Sequence, residues 1–194
     1  EMASLGIQVH GGYGYIEETG AAQHLRDARI SPIYEGTNGI QAIDLVGRKL
    51  SLRAGGVMSD LLDEIAALDG ALEEAGDDFD SIRSNLADGL AVFREATAWI
   101  INNGVDDPNE ALAAATPYLK MFGQVVGGWL LARLALGARR RLDEGTGDSA
   151  HLEGKIVVAR FYAEQLLPTA RAQLGAVTAG ASDLFAMSAD GFSA

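Results

Sequence analysis

The run from Asp107 to Arg141 constrains the fold more than any other stretch of this chain. Asp107-Pro108-Asn109-Glu110 is a helix start. It has a capping acid, proline at the first helical position, and a glutamate three residues after the cap. Leu112, Leu119, Phe122, Val126, Leu130 and Leu134 follow at helical spacing. Arg139-Arg140-Arg141 then suit the negative end of a helix. Pro117 lies inside this helix and is expected to kink or restart it, at a cost of about 3 kcal/mol. Gly123-Gln124-Val125-Val126-Gly127-Gly128 has a superficial likeness to a phosphate loop. It lacks the lysine and sits among apolar residues, so close helix packing explains it better.

The same period recurs elsewhere, and strand signals are weak. Met58, Leu61, Leu62, Ile65, Leu68 and Leu72 define one helix face. Phe79, Ile82, Leu86, Leu90, Phe93 and Ile100 define a second, with Asp78 or Asp80 near its cap and Asn102-Asn103-Gly104 at its end. A fourth long helix is expected over 149–176, kinked at Pro168, and a short one over 182–188. Four long helices with short connections predict an all-α, up-down bundle. Nearer the start, the glycines between Gly6 and Gly14 are expected to end a first segment. A helix over 19–29 should stop at Ser31-Pro32, because the residue before proline avoids helical angles. Another helix is expected over 37–52, with Ile40, Ile43, Val46 and Leu50 on one side. Ala54-Gly55-Gly56 marks the expected boundary between a domain at 1–53 and one at 54–194.

Charge and composition exclude several classes. Of the net charge of −12, residues 54–110 carry fourteen acids against two bases, whereas the flanking regions are nearly neutral. So acidic a middle disfavours nucleic acid, and a DNA-binding relative is the least favoured reading. There is no cysteine, so thiol chemistry is excluded. The three histidines show no metal-ligand spacing, and no metal is expected. The apolar stretch from Met121 to Ala132, bracketed by Lys120 and Arg133, is too short for a bilayer. No membrane association is expected, and a cytoplasmic location is. Glu1-Met2-Ala3-Ser4-Leu5 resembles neither a signal nor a transit peptide. It reads as the middle of a helix, which suggests the C-terminal piece of a longer polypeptide.

Chemistry concentrates at Tyr34-Glu35-Gly36-Thr37. Gly36 lets its peptide approach a ligand. Thr37 can cap the helix that follows, whose unpaired N–H groups then face whatever Glu35 faces. A carboxylate beside backbone donors suits proton removal next to a carbonyl. Around it stand Gln8-Val9-His10-Gly11-Gly12-Tyr13-Gly14-Tyr15, Leu25-Arg26-Asp27-Ala28-Arg29-Ile30 and Asn38-Gly39-Ile40-Gln41.

These motifs, in this order and spacing, resemble the C-terminal helical domain of acyl-CoA dehydrogenases over about residues 1–53. Residues 54–194 resemble, more loosely, the extra helical domain of the methylmercaptopropionyl-CoA branch of that family. The resemblance implies FAD as cofactor, an acyl-CoA substrate, electron-transfer flavoprotein as acceptor and a homodimer or homotetramer. It implies that Glu35 removes the α-proton while its backbone N–H binds the thioester oxygen. Desolvation by bound substrate would then strengthen that base. Gly36 and Tyr34 match substrate-side positions. Thr37, Asn38 and Gly39 match positions that contact FAD. Gln8, Val9, His10, Gly11 and Gly12 match the segment against the adenosine half of FAD on a neighbouring subunit, with His10 as a structural hydrogen-bonder. Arg26, Asp27 and Arg29 read as a local ion-pair set. The family's N-terminal helical and middle β-domains are absent from these residues, so the fragment alone is expected to be inactive and to bind FAD poorly. The competing reading is a non-catalytic helical interaction or oligomerisation module. Acyl-chain length is not legible, because the pocket is built mostly by residues outside this chain.

Overall fold

The computed structural model describes residues 2–192, with Ala189 described by its backbone alone. Among the described residues every regular element is helical and none is a strand, as the periodicity predicts. By its internal contacts the chain forms two compact units, residues 1–41 and 42–194. Helix α4 (Thr37–Asp44) begins in the first and ends in the second.

The first unit holds α1 (Met2–Val9), α2 (Gly12–Tyr15) and α3 (Ala21–Ile30). The helical character expected at the start is present from Met2; Glu1 lies outside the described residues. Gly6 does not interrupt α1, which runs on to Val9. Gly14 fixes the approach of α2 to α1, since a Cβ there would stand 2.3 Å from the Ile7 carbonyl oxygen. Helix α3 starts two residues later than expected and ends at Ile30, just before Ser31-Pro32. Asp27 accepts from Gln23 at 2.6 Å, and Arg26 reaches Gln23 at 2.6 Å and Glu17 at 3.6 Å. The expected Arg26–Asp27–Arg29 set is therefore replaced by Gln23 bonded to Arg26 and Asp27 at i, i+3 and i, i+4 spacing, which face each other where i, i+1 neighbours do not, and by an ion pair from Arg26 back to Glu17.

The second unit is built on α5 (Gly56–Ala66), α6 (Asp69–Glu74), α7 (Asp80–Gly104), α8 (Pro108–Asp143) and α9 (Ser149–Gln165). Short helices α10 (Thr169–Ala172) and α11 (Leu174–Val177) follow. The helix expected over 37–52 does not stay regular. After α4 it loosens into a π-helical turn, Leu45–Lys49, and then a kink where Arg53 and Ala54 have φ of 53° and 54°. The helix expected from Met58 to Leu72 is likewise two helices, because Ala67 and Leu68 form a turn between α5 and α6.

Helices α7, α8 and α9 pack consecutively across short connections, the antiparallel arrangement that such connections favour. Their shared core is closed by Phe79, Phe93, Tyr118, Met121, Val125 and Ala132, each fully buried. Asp107 caps α8 as the sequence predicts, accepting from the Asn109 N–H at 2.9 Å with Pro108 first in the helix. Neither Asp78 nor Asp80 caps α7, whose N-cap is Phe79 with no side-chain bond. Pro117 does not restart α8, which spans 36 residues unbroken. Ala114, Ala115, Tyr118 and Met121 around it are buried, and that packing outweighs the missing backbone bond. By length and composition α8 is apolar enough to cross a membrane, yet here it is the central helix of the core. The helix expected over 149–176 with a kink at Pro168 instead ends at Gln165, and the short helices α10 and α11 follow Pro168. A 3-10 turn, Ser182–Phe185, stands where the terminal helix over 182–188 was expected, and a second, Ala189–Phe192, follows it.

The acidic middle is held by bases from its own and neighbouring helices. Arg83 pairs with Asp69 and Glu73, Arg94 with Asp63, Arg133 with Glu64 and Arg160 with Asp78. The guanidinium of Arg83 holds the Asp69 carboxyl below its ordinary range. Pairs this exposed are screened by solvent and contribute little to stability.

Candidate functional site

The chemistry singled out in the sequence falls between α3 and α4. The N–H groups of Ile33 and Tyr34 both donate to the Ile30 carbonyl, at 2.9 and 3.2 Å, which finishes α3. The Thr37 N–H then donates to the Tyr34 carbonyl at 3.3 Å and closes a four-residue turn. Its central residues, Glu35 and Gly36, have φ of 54° and 85°, the signs of a type I′ turn. Thr37 follows with φ 74°, so three successive residues are left-handed. Glycine takes this freely. For Glu35 and the β-branched Thr37 it costs about 1–3 kcal/mol each.

Two bonds and one contact hold that strain. The Asn38 N–H donates to the Pro32 carbonyl at 3.3 Å. The Gln41 side-chain amide donates to the Glu35 carbonyl at 2.8 Å. Gly36 lies against Ile40, and a Cβ there would stand 3.1 Å from Ile40 Cγ2. Space and backbone angle both demand glycine.

The consequence is electrostatic. In a planar trans peptide the N–H and C=O point in opposite directions. Thr37 engages the Tyr34 carbonyl, so the Glu35 N–H faces away from that bond. Gln41 engages the Glu35 carbonyl, so the Gly36 N–H faces away from Gln41. Neither N–H has a partner among the described residues. The Glu35 side chain is exposed and makes no ion pair among them. A free carboxylate and two free N–H donors therefore stand on two adjoining residues. Tyr34, Asn38 and Gly39 are exposed beside them. The expected Thr37 cap is not made. With φ 74° its Oγ1 lies over Gly39, 3.7 Å from where a Cβ would stand.

The second set lies where α1 ends. His10 Nδ1 and the His10 N–H both reach the Gly6 carbonyl, at 2.9 and 3.2 Å. A carbonyl only accepts, so Nδ1 carries a proton in that bond. Gly11, at φ 62°, turns the chain and donates to the Gln8 carbonyl at 3.0 Å. Gly12 opens α2, and no atom lies within 4 Å of a Cβ position on it. Gln8 and Val9 are exposed. No hydrogen bond among the described residues joins 8–12 to 34–39. Sequence reasoning missed Gln41 as a structural partner of Glu35. The signal was present, since a helical side chain leans toward its N-terminus and residue 41 sits one turn inside α4.

In the second unit, a cleft of about 450 Å³ is lined by Val46, Leu50, Ile100, Ile101, Ala111 and Leu112 among others. Ser51 is its one side-chain hydroxyl and it holds no ionisable group, so it offers no acid–base chemistry.

Comparison with known proteins gives two family matches. Residues 1–51 match the family described as acyl-CoA dehydrogenase, C-terminal domain, and residues 59–188 match that described as acetyl-CoA dehydrogenase C-terminal like. A 3-methylmercaptopropionyl-CoA dehydrogenase of Ruegeria pomeroyi is 42% identical over 92% of this chain and 30% of its own length. The broad-specificity linear acyl-CoA dehydrogenase FadE5 of Mycobacterium tuberculosis is 32% identical over 84% of this chain and 28% of its own length. A butyryl-CoA dehydrogenase of Syntrophomonas wolfei is 29% identical over 86% of this chain and 28% of its own length. The chain thus spans less than a third of the relatives it matches. With a family match covering residues 59–188 and a second covering 1–51, the chain belongs to the acyl-CoA dehydrogenase family, in the region of its C-terminal helical domains.

Proposed function

We propose that this chain is the C-terminal part of a flavin-dependent dehydrogenase that oxidises an acyl-CoA to the trans-2-enoyl-CoA. Glu35 is its catalytic base. One observation carries the reading: a strained left-handed turn presents the Glu35 carboxylate together with the unpartnered N–H groups of Glu35 and Gly36. Strain of this kind persists only where its surroundings hold it, and it gathers at functional sites. The carboxylate removes the proton α to the thioester carbonyl. The Glu35 N–H donates to the carbonyl oxygen, where charge builds as that proton leaves. Bound substrate excludes water from the carboxylate and strengthens both interactions. Gly36 and Tyr34 lie on the substrate side.

FAD, when bound, accepts the hydride equivalent from the β-carbon. The residues here fit its polar parts, because Gly11 and Gly12 are exposed and no atom lies within 4 Å of a Cβ position on either, so a bound group can approach their backbone closely. Gln8, Val9, His10, Gly11 and Gly12 would hold the adenosine half of a neighbouring subunit's FAD. Thr37, Asn38 and Gly39 would hold the cofactor beside the base. Electron-transfer flavoprotein is the proposed acceptor, and the cytoplasm the proposed location. The proposed division is a base-carrying domain at 1–53 and an additional helical domain at 54–194, which the spans of the two family matches support. Residues 1–194 alone would be inactive, since the substrate pocket draws on chain outside them.

The test is Glu35→Gln in the full-length protein. Turnover should fall about 10²–10⁴-fold, the range that general-base catalysis contributes, while the flavin stays bound. Retained turnover removes Glu35 from the role. For residues 54–194 the proposed task is subunit assembly into a homodimer or homotetramer. Leu130, Leu134, Val158 and Phe161 are exposed on the adjacent helices α8 and α9, which favours it. An unchanged solution size on deleting 54–194 refutes it.

A further inference from the structure

We infer that Gln41 is a positioning residue for the base, and that it sets the direction of a second N–H donor. The inference rests on the Glu35 reading and adds to it the group that holds Glu35 in place. The Gln41 amide donates to the Glu35 carbonyl at 2.8 Å, across six residues. The bond is not part of the α4 backbone ladder. It reaches from inside the helix to the first of three left-handed residues.

Its effect follows from peptide geometry. The carbonyl of Glu35 and the N–H of Gly36 belong to one rigid plane and point in opposite directions. Anchoring the carbonyl to Gln41 turns the Gly36 N–H outward, where it has no partner among the described residues. The preceding plane is anchored in the same way, by the Thr37 N–H on the Tyr34 carbonyl at 3.3 Å. Both peptides that flank the Glu35 α-carbon are thus fixed from their carbonyl sides. The direction of the carboxylate arm is fixed with them.

Without Gln41, the Glu35–Gly36 plane keeps only the Gly36–Ile40 contact. Glycine then lets the plane rotate, because Gly36 is as free at negative as at positive φ. Glu35 itself gains by leaving its left-handed angle. The base would remain present but misdirected. Placement errors near 1 Å cost about 10²-fold in rate.

The experiment uses the full-length, flavin-loaded protein and a short acyl-CoA thioester, with the variants Gln41→Met, Gln41→Lys and Glu35→Gln. Gln41→Met keeps length and helix propensity but removes the donor. We expect kcat to fall roughly 10–100-fold, with KM within about threefold. The primary isotope effect for an α-deuterated substrate should rise, because proton removal becomes the slower step. Flavin content and melting temperature should stay at the parent values. Gln41→Lys retains a donor at similar reach and should recover most of kcat. If Gln41→Met keeps kcat within about threefold while Glu35→Gln is inactive, the clamp is refuted and the base stands. If Met and Lys lose activity alike, donation to Glu35 is not the cause and the inference is again refuted. If Glu35→Gln turns over normally, both fall. Gln41 is exposed, so none of these substitutions disturbs a packed core; should the methionine variant not accumulate, Gln41→Glu, whose carboxylate cannot donate, carries the same expected fall in kcat, and kcat within about threefold of the parent refutes the clamp.

Discussion

Thr97 and Tyr118 provide the sharpest test of how the bundle is held. Thr97 is the one buried polar side chain among the described residues, 4% exposed, and Tyr118 is 0% exposed. Their hydroxyls meet at 2.7 Å, and the Thr97 hydroxyl also donates to the Phe93 carbonyl at 2.7 Å. That second bond uses the only Thr97 proton, so Tyr118 is the donor between the two. Thr97→Val keeps the shape and removes the acceptor. The Tyr118 O–H is then buried without a partner, at a cost of about 1–3 kcal/mol. Tyr118→Phe removes the donor instead and leaves Thr97 bonded to Phe93, a loss of about 0.5–1.5 kcal/mol. The double variant has no orphan, so its cost should fall short of the sum by at least about 1 kcal/mol. Both tryptophans, Trp99 and Trp129, lie in α7 and α8. Tryptophan fluorescence under urea therefore reports this bundle alone. Additivity within about 0.5 kcal/mol refutes the donor assignment.

The same tyrosine sets an alkaline limit. Burial pushes the Tyr118 hydroxyl well above its ordinary range, so the unfolded chain ionises it near pH 10 while the fold keeps it neutral. Its contribution is full below about pH 10 and is lost as pH rises toward the folded value. Tyr118→Phe should flatten the fall in stability above pH 10 by about 1.4 kcal/mol per pH unit; parallel curves count against the burial argument. Pro117→Ala restores one backbone bond in α8 and should raise stability by about 1–3 kcal/mol. In a domain of this size that is roughly 2–10 °C in melting temperature, and a lower melting temperature refutes the view that packing merely tolerates the proline.

The legible parts of the fold were those fixed by local chemistry. Asp107-Pro108 announced α8 to the residue. Helices α7 and α3 also end at Gly104 and just before Ser31-Pro32, but not by the expected route, since Ser31 keeps helical angles (φ −55°, ψ −42°) and Gly104 has no positive φ. Competition between local cost and burial was not legible. Pro117 reads as a break, but Tyr118 and Met121 on the same turn are fully buried, and their burial outweighs the local cost. The reverse happened at Ala67-Leu68, where nothing in the sequence breaks the helix and α5 and α6 are nonetheless separate. A single chain shows which residues prefer a helix. It does not show which of two helical arrangements buries more.

At the site the limit is different in kind. Glu35-Gly36 in a loop announced a carboxylate on an approachable backbone, and Gly36 does require its positive φ. Nothing in the residue types announced that Glu35 and Thr37 are left-handed too, since neither favours that region. The explanation lies one helical turn onward, in Gln41 and Ile40. A glutamate held at φ 54° by a side chain six residues away is not the cheapest way to end one helix and start another. A relaxed turn would place the carboxylate equally far into solvent and leave the two N–H groups free to turn inward. What the strain secures is direction: two peptide planes anchored by their carbonyls, two donors turned out, and an acid fixed between them.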